Sequence, residues 1–376
     1  MSLKQAAAVV LAAGYSRRMG FFKPLRKIRG RTPLQRIFSS LRKSGVEEII
    51  VVTGHRRGET EEAVARLGGR SVFNSRFSQG MFTSIQAGVA SLSSRAGFFF
   101  LLPADIPLVR PSTLSLLLRR GAPDRIVYPV FLTKRGHPPL IGTSFIPSIL
   151  SYGGEGGLRR FLESRKEWAE DLPVADGGIL MDMDTPEDYE KILRRSRRLS
   201  IPSRKECRAL FDLAGTPERV RAHSEKVAAL SLNLAFALPE GYRPDMELLH
   251  RASLLHDLCK TEPDHVRAGS ALLSTSGFPE VAKTAEGHKD LPPFASPEAS
   301  LLFLADKLIW DIYFTPLEER KKIMLRRFGG DLSAQKAIRR RFARALRIQR
   351  RVERLAGAPV RELAGEGKAV WTPPLP

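Results

Sequence analysis

Apolar residues fall into two rhythms along this chain, and the change between them divides it. Over the first half, short apolar runs alternate with segments whose apolar positions recur every three or four residues. Residues 6–11, 48–53, 71–74 and 97–102 read as strands, the last containing Phe98, Phe99 and Phe100. Residues 33–44, with Leu34, Ile37, Phe38 and Leu41 at helical spacing, read as a helix, as do 59–67, 81–91 and 112–120. Strands that are apolar throughout have both faces covered. They predict a mostly parallel sheet wrapped by crossover helices, an α/β domain. Ligands of such sheets lie beyond the carboxyl ends of the strands, where the loop after Leu11 and the turn after Leu102 both fall.

From Lys205 onward strand signals nearly vanish. Helical spacing predicts helices over 217–236, 246–258, 266–274, 279–286, 297–312, 316–328 and 333–355, an all-α second half. Between the halves, Arg194 to Arg204 is basic, contains Pro202 and has no periodicity. The predicted organisation is an α/β domain over 1–195, a basic linker over 196–214, an all-α domain over 215–356 and a Pro/Gly-rich tail over 357–376. No internal repeat or low-complexity tract interrupts it.

Composition narrows the class. The 376 residues suit two domains, and no apolar stretch approaches the ~18 residues of a membrane span. Lys4 followed by a short apolar run has the outline of an export signal. Cleavage there would destroy the glycine-bearing loop that follows, so the run is read as a strand. Cys207 and Cys259 form no metal or disulfide pattern, and a reducing cytoplasm is expected. Sixty-one Lys and Arg against 40 Asp and Glu leave a net charge of +21, concentrated in arginine-rich stretches such as 194–198 and 339–351. No array of aromatics is interleaved with them, so they read as solvated helix faces with a general affinity for anions; specific nucleic-acid binding is not expected.

The most informative stretch is Leu11-Ala-Ala-Gly-Tyr-Ser-Arg-Arg-Met-Gly-Phe-Phe-Lys23. Ala12, Ala13 and Gly14 are small enough for backbone N–H groups to approach a ligand, and Arg17, Arg18 and Lys23 add charge where triphosphate oxygens would lie. Neither Gly-x-x-x-x-Gly-Lys-Ser/Thr nor Gly-x-Gly-x-x-Gly is present. Past the apolar strand 97–102, Asp105 sits between Pro103 and Pro107, well placed to hold Mg²⁺. Asp182 and Asp184 alternate onto one face of a short predicted strand before Pro186 opens a helix. A metal there would bridge phosphate oxygens and neutralise the charge that develops as pyrophosphate leaves.

These residues resemble the molybdenum-cofactor nucleotidyltransferases, the MobA-like NTP transferases, across residues 5–193. The first stretch is similar to that family's Leu-Ala-(Ala/Gly)-Gly-x-Ser-x-Arg-Met-Gly-x-x-Lys. Pro103-Ala-Asp-Ile-Pro107, Arg135-Gly-His-Pro138 and Asp182-Met-Asp-Thr-Pro-Glu-Asp188 follow in the family's order. The resemblance implies a Rossmann-like nucleotidyltransferase that condenses an NTP with a molybdopterin-type acceptor. Leu11, Ala12, Ala13, Gly14, Arg18 and Lys23 would bind nucleotide, and Asn74, Gly80 and Ser84 would contact base and ribose. Lys23 and Asp105 would be catalytic. Asp105 would hold Mg²⁺ with Asp182 or Asp184, and His137 would meet the pterin or its phosphate. Leu-Ala-Ala-Gly with Arg-Gly-His-Pro resembles the cytidylyltransferase branch, so CTP is favoured over GTP.

The second half carries His223, His256-Asp257, His265, His288 and Asp306, four of the five histidines there; His250 is read as structural. Asp306 lies in the apolar run Leu301-Leu-Phe-Leu-Ala-Asp, where a carboxylate is costly unless paired or ligated. His…His-Asp…Asp at these separations resembles the HD-domain metal-dependent phosphohydrolases over about 215–312. His265 and His288 fit the extra histidines with which some members hold a second metal. The resemblance implies one or two ions such as Fe, Mn, Zn or Co, hydrolysis of a phosphate ester, and Lys260 steadying the phosphate.

The expected function is a bifunctional cytoplasmic enzyme, a cofactor cytidylyltransferase joined to a phosphohydrolase. Two alternatives stay open. In one, the transferase acts on another phosphorylated acceptor such as a sugar phosphate. In the other, the chain is a delivery chaperone with a regulatory HD domain, handing cofactor to an apo-molybdoenzyme.

Overall fold

In the computed structural model, which describes residues 5–365, β1 (Gln5–Leu11) lies inside an eight-stranded sheet. It pairs in parallel with β2 (Glu48–Thr53) on one side and β4 (Ala96–Pro103) on the other, and β3 (Arg70–Phe73) extends the β2 side. β7 (Leu140–Gly142) runs antiparallel between β4 and β5 (Ile126–Phe131); β6 (Lys134–Arg135) and β8 (Ala169–Pro173) also pair with β5. The parallel part is the one the apolar runs predict. Ala7, Ala8, Val9 and Val10 in β1 and Phe99 to Leu102 in β4 are all buried, because helices cover both faces. One of these, Met81–Val89, approaches so closely at Gly88 that a Cβ there would collide with Val9 and Val52.

Helix Pro33–Lys43 begins at a capping box in which Thr32 and Gln35 satisfy each other's backbone N–H groups. Helix Pro186–Arg195 starts in the same way from Thr185 and Asp188. Asp182 and Asp184 do not lie on a strand, as the alternation had suggested: residues 181–184 form an extended loop without sheet partners. The alternation still acts, because Met183 is buried against Met19, Ile28, Leu108 and Ile192 while its acidic neighbours face outward.

The chain divides into two compact units between Leu199 and Ser200. Residues 204–214, expected as part of a linker, instead form the helix Arg204–Ala214. Ser203 and Glu206 build its capping box, and Cys207, Leu210 and Phe211 bury one side, a periodicity masked by the neighbouring arginines. The second unit is otherwise helical: Glu218–Phe236, Met246–Leu255, His265–Thr275, Pro279–Glu286, Pro297–Leu308, Leu317–Arg327 and Leu332–Ala356. The helix expected over 297–312 stops at Leu308, where a two-stranded turn, Ile309–Trp310 with Tyr313–Phe314, takes over around Asp311 at φ 59°. Part of the expected tail is also ordered, since Val360–Leu363 is a short helix with Val360 buried; residues 366–376 lie outside the described residues. Among the described residues no helix is long and apolar enough to cross a membrane.

Candidate active sites

The carboxyl ends of β1 and β4 form one cleft. Ala104 N–H donates to the Leu11 carbonyl at 2.9 Å, stitching the two strand ends together. Between them lies a cavity of about 230 Å³ lined by Leu11, Ala12, Ala13, Gly14, Ser16, Lys23, Ser84 and Asp105 among others. Ser16 takes a left-handed backbone, φ 57°, and its hydroxyl accepts from Lys23 N–H at 3.1 Å, closing the loop. The Lys23 ammonium is thereby aimed at two carboxylates, 2.6 Å from Asp184 Oδ1 and 3.2 Å from Asp105 Oδ2. Arg18 adds a contact of 2.7 Å to Asp184. Asp184 is held below the ordinary carboxylate range by its hydrogen bond to Lys23. Asp182 moves the other way, raised by burial and then by the charges of Asp184, Asp105 and Asp188. His137 is lowered by burial against the pull of Asp105 and Asp182; its Nδ1 is buried without a hydrogen-bond partner. Three carboxylates, one ammonium and one orphaned imidazole nitrogen thus converge at the strand ends.

Asn74 and Ser84 come together, but differently from expectation. The Asn74 amide donates to Thr83 Oγ1 at 2.9 Å and Ser84 Oγ at 3.0 Å, and its oxygen accepts from Arg76 N–H at 3.0 Å. Asn74 therefore shapes the turn to Gly80, whose φ of 115° favours glycine, while Ser84 lines the cleft.

Sequence reasoning missed Asp176, which is 1% exposed and accepts from Arg110 N–H, Arg110 Nη1, Thr113 Oγ1 and Gly178 N–H at 2.7–2.9 Å. It ties the turn after Asp105 to the segment leading into Asp182 and Asp184. An aspartate before Gly177-Gly178 reads as any turn residue, so the only signal was Arg110, a charge among apolar neighbours.

In the second unit, helices Glu218–Phe236, Met246–Leu255, His265–Thr275, Pro279–Glu286 and Pro297–Leu308 deliver His223, His256, His265, His288 and Asp306 at or near their ends or in their spans. His223, His256 and His288 each donate from Nδ1 to a backbone carbonyl, of Asp311, Ser253 and Ala285, at 2.6–2.8 Å. A carbonyl only accepts, so Nδ1 carries a proton, and in the neutral imidazole Nε2 presents a lone pair. Those lone pairs face carboxylates: His288 Nε2 is 3.3 Å and His256 Nε2 3.4 Å from Asp257, and His223 Nε2 is 3.4 Å from Asp306. His256 Nε2, His288 Nε2 and Asp257 Oδ1 are buried without hydrogen-bond partners. Acceptor against acceptor is stable only with a cation between them.

The ionisation states carry the same demand. Burial lowers the His256 imidazole, yet Asp257 and Asp306 outweigh it and lift it to about 10. Asp306 is held well below its usual range despite its burial, with Lys307 and His223 opposing the penalty. His265 is lowered to about 4 by burial and by Lys260. The pull on His256 is a pull for positive charge, which a metal ion satisfies as well as a proton. Two ligand groups share Asp257: His223 and His256 on one side, His265 and His288 on the other, with the donor atoms of each group within 4.8 Å of one another. Lys260 Nζ lies 2.8 Å from Asp257 Oδ2.

Residues 8–169 match the family described as the MobA-like NTP transferase domain, and residues 220–311 match the HD domain. A nicotine blue oxidoreductase of Paenarthrobacter nicotinovorans is 30% identical over 198 residues, covering 49% of this chain and 95% of that protein. The chain belongs to the MobA-like NTP transferase family and carries an HD domain. Rv0371c of Mycobacterium tuberculosis H37Rv, also solved with manganese, is similar to the transferase domain at 28% identity, covering 52% of this chain and 100% of that one with a TM-score of 0.47. A nucleotidyl transferase from Methanothermobacter is similar at 25% identity, 52% and 98% coverage and a TM-score of 0.48. The transferase match includes Lys23, Asp105 and His137 but ends before Asp176, Asp182 and Asp184; the HD match contains all six of its candidate ligands and Lys260.

Proposed function

We propose that the transferase domain moves a nucleotide, CMP by preference, from its triphosphate to a molybdopterin-type acceptor with release of pyrophosphate. The observation that carries this reading is Lys23 bridging Asp105 and Asp184 beside the Ala12–Gly14 backbone. Asp105, with Asp182 or Asp184, would hold Mg²⁺, which when bound supplies charge neutralisation at the phosphates. Lys23 and Arg18 sit where they can also meet triphosphate oxygens, and the backbone of 12–14 can approach the nucleotide. Phosphate of the acceptor attacks the α-phosphorus, the bond to the β-phosphate oxygen breaks, and pyrophosphate leaves. No side-chain nucleophile is required, so positioning and charge carry the rate. His137, neutral through burial, would meet the acceptor. Ala13 in place of glycine narrows the space beside the base, which suits a pyrimidine.

The HD domain would hydrolyse a phosphate ester. His223, His256, Asp257, His265, His288 and Asp306 would hold one or two ions of the Fe, Mn, Zn or Co type, which when bound supply Lewis-acid activation of water and phosphate. The backbone carbonyls fix the imidazoles for that purpose. Lys260, on Asp257 and half exposed, can turn toward a phosphate oxygen.

The test is incubation of the full chain with Mg²⁺, molybdenum-loaded molybdopterin and either CTP or GTP, with Asp105→Ala as control. A CTP-dependent dinucleotide lost in the variant supports the reading. Product with GTP alone moves the preference to the guanylyl branch, and no product turns the search to sugar phosphates or cofactor delivery. The name of the Paenarthrobacter relative gives a second reading, an oxidoreductase, which reduction or oxidation of nicotine blue in the presence of the chain would reveal.

A further inference from the structure

The HD match stops at residue 311, but the cavity over the ligand cluster is built from more than the HD domain. This cavity, about 550 Å³, has one wall of histidines, aspartates and lysines and another supplied by helices Leu317–Arg327 and Leu332–Ala356. Ala334, Ile338, Arg341 and Phe342 fall at i, i+4, i+7 and i+8, so one face of the long helix turns into the cavity. Met324 and Phe328, one turn apart, continue the apolar surface. The wall is pinned. Partly buried Arg320 donates to the carbonyls of Asp306 and Ile309, and Arg340 and Arg341 bind Asp290 at 3.0 and 2.8 Å. Lys289, next to His288, also lines the cavity and forms no ion pair or hydrogen bond among the described residues.

A phosphate group needs only the charged wall. Ile338 and Phe342 are already buried, whereas Met324 and Phe328 stay partly exposed beside them and meet water unless the substrate brings apolar surface of its own; burying such surface is favourable in proportion to its area. The volume lies within the range of pockets that enclose a small organic ligand. We propose that residues 317–342 select phosphate monoesters that carry a planar apolar ring system, seated against Met324 and Phe328, with Lys289 meeting the anionic oxygens. The inference rests on the hydrolase reading of the HD domain. In that reaction water adds to phosphorus, the ester P–O bond breaks, and the alcohol leaves with a proton from the water, giving inorganic phosphate.

The experiment compares 2-naphthylmethyl phosphate with ethyl phosphate on the Mn²⁺-loaded full chain. Both release a primary alcohol, so the ring is the difference. The expected kcat/KM ratio favours the ring by about 10- to 100-fold, and Met324→Ala/Phe328→Ala collapses that ratio toward unity. Phe328 is 39% exposed, so this double variant should fold, and its melting curve checks that it does. Equal kcat/KM for the two esters, or a preference that the double variant keeps, overturns the proposal. Calorimetry with 2-naphthylmethylphosphonate separates the two readings. Binding weakened by the double variant without turnover of either ester supports the apolar wall and removes the hydrolase reading; ester turnover without such binding removes the wall's role.

Discussion

Asp176 accepts two hydrogen bonds from Arg110, one from its backbone N–H at 2.9 Å and one from Nη1 at 2.7 Å, with both side chains buried. The pair joins the turn beyond Asp105 to the segment carrying Asp182 and Asp184, so it fixes how far apart the acidic groups stand. Removing one partner strands a buried charge. Asp176→Ala should lose about 3–5 kcal/mol of stability in urea denaturation, whereas Thr113→Ala, which gives up one bond to the same carboxylate, should lose about 1 kcal/mol. Equal losses would mean that the charge pair does not dominate.

Lys23 answers to two carboxylates and to any phosphate that enters. Lys23→Ala should lower nucleotidyl transfer by about 10²- to 10³-fold. Lys23→Arg should recover little, because a planar guanidinium cannot replace a compact ammonium between Asp105 and Asp184. Pyrophosphate release measures this, and hydrolysis by the HD domain serves as the internal control.

Asp257 belongs to both ligand groups. Asp257→Ala should therefore release all metal bound by the HD domain, as measured by elemental analysis, and abolish ester hydrolysis. His265→Ala should release half. The transferase should keep its activity in both variants, and metal loss should lower the melting temperature of the second unit. Full retention of metal by Asp257→Ala would sink the shared-ligand arrangement.

His250 offers a pH test away from the ligands. Its Nδ1 accepts from Arg251 Nη1 at 3.0 Å, and burial with Arg251 and Arg204 lowers it to about 4. An unfolded histidine titrates near 6.5, so between roughly pH 6.5 and 4 the unfolded chain binds the extra proton. Stability is thus present above 6.5 and lost as pH falls through that window, by about 2 kcal/mol between pH 7 and 5. His250→Gln should flatten the denaturation profile by that amount.

Much of this was legible because it rests on local patterns. The all-apolar strands 6–11 and 97–102 announce a covered parallel sheet, and the loops at their ends announce the cleft. The separated histidines of the second half could be grouped only by resemblance, since 32 residues of chain lie between His223 and His256 and nothing in their spacing brings them to one point. Other features stayed hidden. Helix Arg204–Ala214 is obscured by flanking arginines, and Asp176 is unremarkable until four donors close on it. Residues 126–180 carry short strands whose order in the sheet, β7 between β4 and β5, depends on long-range pairing that no local propensity encodes.

The pinned apolar wall beyond residue 311 gives the second unit a division of labour along its sequence. Groups that would break a bond are inherited with one stretch of chain, and the surface proposed to select the molecule with another. On that proposal, drift in residues 317–342 would change the substrate while the ligand set stands still. Two chains with the same ligand residues and different residues over 317–342 would then not be expected to share a substrate.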